Sequence, residues 1–432
     1  MKLSLYQFKH YLDKSLEISE DLQVVVGNNG SGKSTLCEAL SILVNASNPH
    51  HTSWEEKNSF AKELFELVED WGFSDTKSPS LNSAPSSPFT KGVWALRLEL
   101  SEVLFQSIFD GQNCSPKWHM DESSCSKPKY EDKMPYRAFW IQSDHLRVIS
   151  GEPSERRNFL DDMLTFASPG YEKILRNYRT ALTSRNRVIQ SILDKEARKE
   201  DLSSWNTLLA EYAVQVIRER RTFFTWFNSP SSSGDWVQAK RREEDPGIQV
   251  NNLPWNGSYN VSEMDSTSRH STSSWLGWND GQQLWTFLHL PGPVRIELSE
   301  RHTLEEVTKE AFLKLLADYT ERDLVVGRTT VGPHLDEISF SVEMYNVWQS
   351  TKYILSRGEN KILLLAFIRL LGKYVEENSW KKPFFLLDDV LSELDEDHTH
   401  ILCQLFADTT TIMTTQPNHT AGLPTDITMT KL

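Results

Sequence analysis

Near the start of the chain, Gly27-Asn28-Asn29-Gly30-Ser31-Gly32-Lys33-Ser34 fits the spacing G-x-x-x-x-G-K-[ST]. Glycines so placed let backbone N–H groups converge on phosphate oxygens that a Cβ would keep away. Lys33 would reach the β- and γ-phosphates of a nucleotide, and the Ser34 hydroxyl would ligate Mg²⁺. Thr35 belongs to the same nucleotide-binding set. The competing reading is an ordinary glycine-rich turn. Context favours phosphate, because the β-branched run Leu22–Val26 precedes the loop and Leu36, Ala39, Leu40 and Leu43 recur at helical spacing after it.

A second set lies far along the chain. Phe384-Phe385-Leu386-Leu387 is an apolar strand pattern that ends in Asp388 and Asp389. A carboxylate at the C-terminal end of a central strand, beside a phosphate loop, is suited to holding Mg²⁺ through water, and Asp388 is the candidate. Asp389 would orient or deprotonate an attacking water. Read alone, the pair could equally cap a helix. Ser356-Arg357-Gly358-Glu359 precedes an apolar helix and offers a hydroxyl, backbone N–H groups and a positive helix end to an anion, although plain capping uses the same residues.

The elements that must position these groups form an α/β pattern. Residues 3–8 alternate as a half-buried strand, and 93–100, 138–141, 338–342, 384–387 and 411–413 read as strands. Between 155 and 223 the pattern is helical, with Phe159, Leu160, Met163 and Leu164 on one stripe and Ile174, Leu175, Tyr178 and Leu182 on another. Trp205, Leu208, Leu209, Tyr212, Val216 and Ile217 form a third. An amphipathic helix is expected from Leu304 and another over 361–374. Residues 110–133 look polar and irregular, 74–90 are rich in Ser and Pro, and 229–283 are a Ser/Asn/Gly/Trp-rich insertion.

With 432 residues the chain exceeds one simple core. Its 38% hydrophobic content excludes wholesale disorder, and no apolar run approaches a membrane span. Four scattered cysteines point to a reducing, cytoplasmic setting with no membrane partner. Cys114, His119 and Cys125 lack zinc spacing. A net charge of −14 argues against non-specific coating of nucleic acid but leaves room for a local basic face.

Several further blocks carry a family resemblance. Phe8-Lys9-His10-Tyr11, the phosphate loop, Gly151 to Asp161 (GEPSERRNFLD), Tyr178 with Arg185-Asn186, Val331-Gly332-Pro333-His334-Leu335-Asp336, Ser356-Arg357-Gly358 and Leu386 to Asp395 (LLDDVLSELD) occur in one order from end to end. In this the chain resembles the RecF family of bacterial DNA-repair ATPases, related to SMC heads. Leu335, Lys9 and Glu359 depart from that pattern, where Arg, Arg and Gln are usual. The resemblance implies an ABC/SMC-head-like P-loop ATPase fold with an inserted helical arm, and ATP and Mg²⁺ as cofactors. It implies that Ser356, Arg357, Gly358 and Glu359 are a signature closing in trans over ATP bound to a second copy, giving an ATP-dependent homodimer. Ser392 and Asp395 would belong to the D-loop, and Gln142 would sense the γ-phosphate and Mg²⁺, although a loop glutamine without a ligand is an equal reading. Thr414 and Thr415 stand where many ABC proteins carry a switch histidine, so hydrolysis is expected to be slow, DNA-stimulated and regulatory. RecR and RecO partners, action on gapped DNA and stalled forks, RecA loading and the SOS response are likewise implied. Another SMC-like head, or a transporter's ATP-binding subunit, is the alternative.

Phosphate-neutralising charge on double-stranded DNA is sought in Arg156, Arg157, Lys173, Arg176, Arg179, Arg185 and Arg187. A second group comprises Arg218, Arg220, Arg221, Lys240, Arg241 and Arg242. The competing reading is a solvated helix face paired with Glu172, Asp194 and Glu196. The expected partition is an ATPase head from 1–150 and 323–432, with a helical arm at 151–322.

Overall fold

The structure, a computed structural model, describes residues 1–9, 11–46, 93–101, 103–110, 116–121, 123–142, 145, 148–168, 170–227 and 285–432. The Ser/Pro-rich 74–90, the insertion 229–283 with its Lys240, Arg241 and Arg242, and Cys114 lie outside the described residues. Packing divides the chain into one unit of Met1–Lys173 with Ser356–Leu432, and another of Ile174–Leu355. Both boundaries fall further along the chain than the sequence partition at 150 and 322. Helix α3 (Pro153–Ala167) packs on the later helix α8 (Arg357–Ser379), which draws 151–173 into the first unit.

The first unit holds two sheets. Five strands run parallel in the order β14-β3-β13-β12-β8: β3 is Leu22–Val26, β8 Tyr136–Gln142, β12 Lys382–Asp388, β13 Thr411–Thr415 and β14 Thr428–Lys431. Interior parallel strands are covered on both faces, which is why Val24–Val26 and Phe384–Leu387 are continuous apolar runs without alternation. The second sheet is antiparallel, in the order β2-β1-β4-β5-β6-β7. Its strands are β1 (Lys2–Phe8), β2 (Tyr11–Glu17), β4 (Val93–Glu99), β5 (Leu104–Asp110), β6 (Lys117–Met120) and β7 (Ser123–Cys125). The stretch 110–133, expected to be irregular, thus supplies two strands and the short helix α2 (Lys127–Lys133). Its Tyr130 is fully buried, with ring centroids 5.2 Å from Phe105 and 4.8 Å from Trp118.

Helix α1 (Lys33–Asn45) packs against both sheets, so every residue except Ser34 is buried. Asn45 at its end acts as a substitute strand for β8: its amide donates to Ala138 O (2.8 Å) and accepts from Ala138 N (3.0 Å). That contact satisfies backbone groups on the strand that ends the parallel sheet.

The second unit contains most of α4 (Tyr171–Leu193), α5 (Leu202–Phe227), α6 (Lys309–Val326) and a three-stranded antiparallel sheet. That sheet is ordered β11-β10-β9, with β9 Val294–Ser299, β10 Glu337–Met344 and β11 Val347–Ser350. Helix α6 starts five residues later than Leu304, where the Thr308 hydroxyl caps it by accepting from Ala311 N at 3.2 Å. A short helix α7 (Thr351–Ile354) precedes α8 in sequence. In the first unit, α9 (Glu396–Phe406) follows β12.

Candidate nucleotide site

The phosphate loop leaves β3 at Gly27, whose N–H donates to Thr415 O (3.1 Å) at the end of β13. Gly30 and Gly32 take φ of 77° and 96°, a region open to glycine and costly for other residues. Gly32 is also the N-cap of α1, so the loop delivers its backbone donors at a helix N-terminus. Lys33 is buried, and its ammonium donates to the loop's own carbonyls, Gly27 O at 2.8 Å and Asn28 O at 2.9 Å. Asn28 O also accepts from Ser31 N at 3.1 Å. The Ser34 hydroxyl sits on the exposed position of α1, while Thr35 is buried. Ser31 Oγ is buried without a hydrogen-bond partner among the described residues.

Strand register brings the second set to the same edge. Asp388 is level with Thr414 on β13 and with Gln142 on β8, and Thr415 is level with Val26 on β3. Residues from four separate stretches of the chain therefore meet at the carboxyl ends of adjacent parallel strands, where open α/β sheets bind ligands. The buried Asp388 accepts from Thr414 Oγ1 at 2.7 Å, and the same hydroxyl accepts from Asp389 N at 3.1 Å. Thr414, read from sequence only as a missing histidine, thus holds the carboxylate; its register beside Asp388 is the signal that no linear pattern carries. Burial, and then the charge of Asp388, pushes the Cys37 thiol of α1 well up. Asp389 takes φ 54°, and its buried Oδ1 has no partner among the described residues, nor has Thr415 Oγ1. Three orphaned oxygens, Ser31 Oγ, Asp389 Oδ1 and Thr415 Oγ1, mark a site whose polar groups suit a polyphosphate and a hard cation. Gln142 donates its backbone N–H to His145 Nδ1 at 3.1 Å.

The Ser356 segment is a full capping box. Ser356 Oγ accepts from Glu359 N at 3.2 Å, and Glu359 Oε2 accepts from Ser356 N at 2.7 Å. It faces an open groove of about 460 Å³ lined by Ser356, Arg357, Gly358, Glu393, Asp395 and His398. The capping residues and the Asp395 turn therefore meet in one chain, while the groove's lining contains no phosphate-loop residue. Lys361, buried on α8, donates to Ser392 O, and Ser392 Oγ donates to Asp389 O at 2.9 Å. Burial lowers the Lys361 ammonium, with Glu393 and Asp389 opposing that shift. Asp395 caps α9 by accepting from His398 N at 2.8 Å.

The arginines separate sharply. Arg176, Arg179 and Arg187 are exposed on α4, where Lys173, Arg176, Thr180, Thr183 and Arg187 share a stripe at spacings of three and four. Arg156 and Arg157 are half-buried, and Arg156 donates to Gly151 O at 2.7 Å. Arg185 is not a surface residue, which corrects its assignment to a DNA face. It is 0% exposed and donates to Asp323 Oδ2, Thr329 Oγ1 and Asn206 Oδ1, each at 2.7 Å. Asn186 Oδ1 accepts from Thr329 N at 2.8 Å, and Tyr178 OH pairs with His334 Nδ1 at 2.6 Å. In the second basic group, Arg220 is likewise buried against Pro333 O (2.6 Å) and Asp336 (3.2 Å), and Arg221 chelates Glu300. The Tyr178, Arg185-Asn186 and Gly332-to-Asp336 blocks are thereby tied together by largely interior hydrogen bonds.

A nucleotide-type loop, an acidic strand end and a capped helix on one parallel sheet define the fold of an ABC/SMC-head-like P-loop ATPase. A family model described as the RecF/RecN/SMC N terminal domain matches residues 1–420, and the chain belongs to that family. It is 24% identical over 415 residues to the DNA replication and repair protein RecF of Bacillus cytotoxicus, covering 96% of this chain and 91% of that protein. It is 26% identical over 405 residues to the DNA replication and repair protein RecF of Synechocystis sp., covering 92% and 85%. A solved structure of the recombination mediator protein RecF-ATPrS in the RecFOR pathway matches the fold at TM-score 0.63, with 18% identity over 100% of this chain and 95% of that one.

Proposed function

We propose that this chain is a RecF-like DNA repair and replication ATPase whose ATP-dependent dimer clamps double-stranded DNA. The observation that carries the reading is the single edge at which the phosphate loop, Asp388, Gln142 and Thr414 align on adjacent parallel strands. ATP would lie on the N–H groups of residues 27–35, displacing the Lys33 ammonium from Gly27 O and Asn28 O onto the β- and γ-phosphates. Mg²⁺ held through Ser34, Asp388 and Gln142 would neutralise charge on the transferred phosphoryl group. Asp389, whose buried Oδ1 has no partner among the described residues, would orient the attacking water and take its proton as that water's oxygen bonds the γ-phosphorus. The bond to the β–γ bridging oxygen breaks, leaving ADP and inorganic phosphate. Thr414 and Thr415 offer no second base at the end of β13, which supports slow, regulatory hydrolysis.

The groove at Ser356, Gly358 and Asp395 supplies the face for a second copy's nucleotide. The exposed Arg176, Arg179 and Arg187 of α4 supply phosphate contacts, with Arg156 and Arg157 as further contributors. Two such faces joined by ATP reconcile DNA binding with a net charge of −14: affinity is conditional on dimerisation. Action at gaps and stalled forks with RecR and RecO, assisting RecA loading in a cytoplasmic SOS response, follows from kinship with RecF. Sedimentation velocity of wild type and Lys33→Ala, with and without ATP, Mg²⁺ and a gapped duplex, tests the reading. Wild type should dimerise with ATP and retain DNA, and the variant should do neither. A wild type that stays monomeric with ATP refutes it.

A further inference from the structure

Tyr11, the first residue of β2, rests on the phosphate loop. We propose that Tyr11 is a positioning residue of the nucleotide site, its hydroxyl fixing and polarising the Gly32–Lys33 peptide so that the Lys33 backbone N–H is presented to phosphate. This inference rests on the nucleotide-binding reading above.

Tyr11 OH, buried, donates to Gly32 O at 3.1 Å, and the same carbonyl accepts Leu36 N at 2.9 Å in the first turn of α1. A carbonyl that receives two donors has a larger peptide dipole, and the other end of that peptide is the N–H of Lys33. Lys33 is the first residue of α1, so its N–H has no partner within the helix and is available to an anion. The ring end also sets the loop's path. A Cβ on Gly32 would stand 2.6 Å from the Tyr11 oxygen and 2.8 Å from Cζ, so tyrosine and glycine are in direct contact where φ is 96°. The turn between β1 and β2 is itself fastened: Lys9 forms an ion pair with Glu38 of α1, and the Phe8 ring meets Trp94 edge-on at 5.4 Å. Burial, with Cys37 adding to it, pushes the Tyr11 hydroxyl up to about 12, so it stays a proton donor throughout the physiological range.

A tyrosine that only fills space would be replaced by phenylalanine without consequence for ligands. The test compares wild type with Tyr11→Phe in fluorescent-ATP titrations, with ATP, ADP and inorganic tripolyphosphate as competitors. Loss of one neutral hydrogen bond should weaken all three by about 3- to 10-fold. Tripolyphosphate should lose as much as ATP, because the defect lies at the phosphates. Nucleotide-free thermal unfolding should change little. ATP and tripolyphosphate affinities within twofold of wild type overturn the proposal, whether or not stability has dropped. Tyr11→Leu, which also removes the ring, should weaken binding further; equal affinity in Tyr11→Leu and wild type overturns it independently. Wild type that binds none of the three ligands refutes the nucleotide reading itself, an outcome distinct from equal binding by wild type and variant.

Discussion

Replacing Arg185 by methionine distinguishes an interior strut from a DNA contact. Arg185 and Asp323 are 0% and 1% exposed and 2.7 Å apart, and the same guanidinium also holds Thr329 Oγ1 and Asn206 Oδ1. Methionine keeps the length of the side chain but strands the carboxylate. Removing one partner of a buried pair costs about 3–5 kcal/mol. Residual bonds to Asp323 from Thr330 N (2.8 Å) and Thr330 Oγ1 (2.6 Å) place the expected loss toward the lower end of that range. At about 2–4 °C per kcal/mol for a unit of this size, the thermal midpoint of Ile174–Leu355 should fall by at least about 6 °C. Urea unfolding followed by circular dichroism measures the loss, and fluorescence anisotropy with a gapped duplex measures binding by the folded protein. Adding Asp323→Asn should return about 1–3 kcal/mol, since the stranded charge is then gone. A stability loss under about 1 kcal/mol together with weaker DNA binding would refute the interior assignment and restore Arg185 to the surface face.

Two further outcomes follow from the same unit. Arg176→Gln and Arg187→Gln should each lower the magnitude of the slope of log affinity against log salt by about 0.9 per lost phosphate contact, without loss of stability; an unchanged slope removes that residue from the DNA face. Asp336 is raised to about 6, chiefly by burial, with Arg220 opposing and Glu300 adding to the shift. Its folded form therefore binds a proton that the unfolded chain has lost, so its contribution to stability is present below pH 4, declines between about 4 and 6 and is absent above. The carboxyl signal of Asp336 in NMR titration should move near pH 6, and a midpoint near 4 would contradict this.

The parts of the fold that were legible in the sequence are those with one physical solution. Val24-Val25-Val26 ahead of a glycine-rich turn can serve as a buried strand feeding a loop, and Phe384 to Leu387 can hardly be anything but an interior strand. What was illegible depends on distant partners. Lys117-Trp118-His119-Met120 has no apolar alternation strong enough to announce a strand, and it exists because Phe105 to Ile108 pairs with it. Strand β2 buries only Tyr11 and Leu16 of its seven residues, so its sequence reads as a charged loop. Arg185 shares its helix with the exposed Arg179 and Arg187, and nothing local says that Asp323, 138 residues on, will claim it. Helix spacing gives faces, but which face is inside is decided by what arrives later in the chain.

The strand order has a consequence for the timing of synthesis. β3, at Leu22–Val26, is flanked by β13 and β14, made after residue 410. β3 and the phosphate loop therefore emerge from the ribosome before the strands that flank β3, whereas α1 meets β1, β4, β5 and β8 by residue 142 and gains β12 and β13 only after residue 381. Ile174–Leu355 is one unbroken segment and is free to close as soon as it is made. Completion of the nucleotide-binding sheet is thus a late event, with β3 meanwhile lacking both of its strand neighbours.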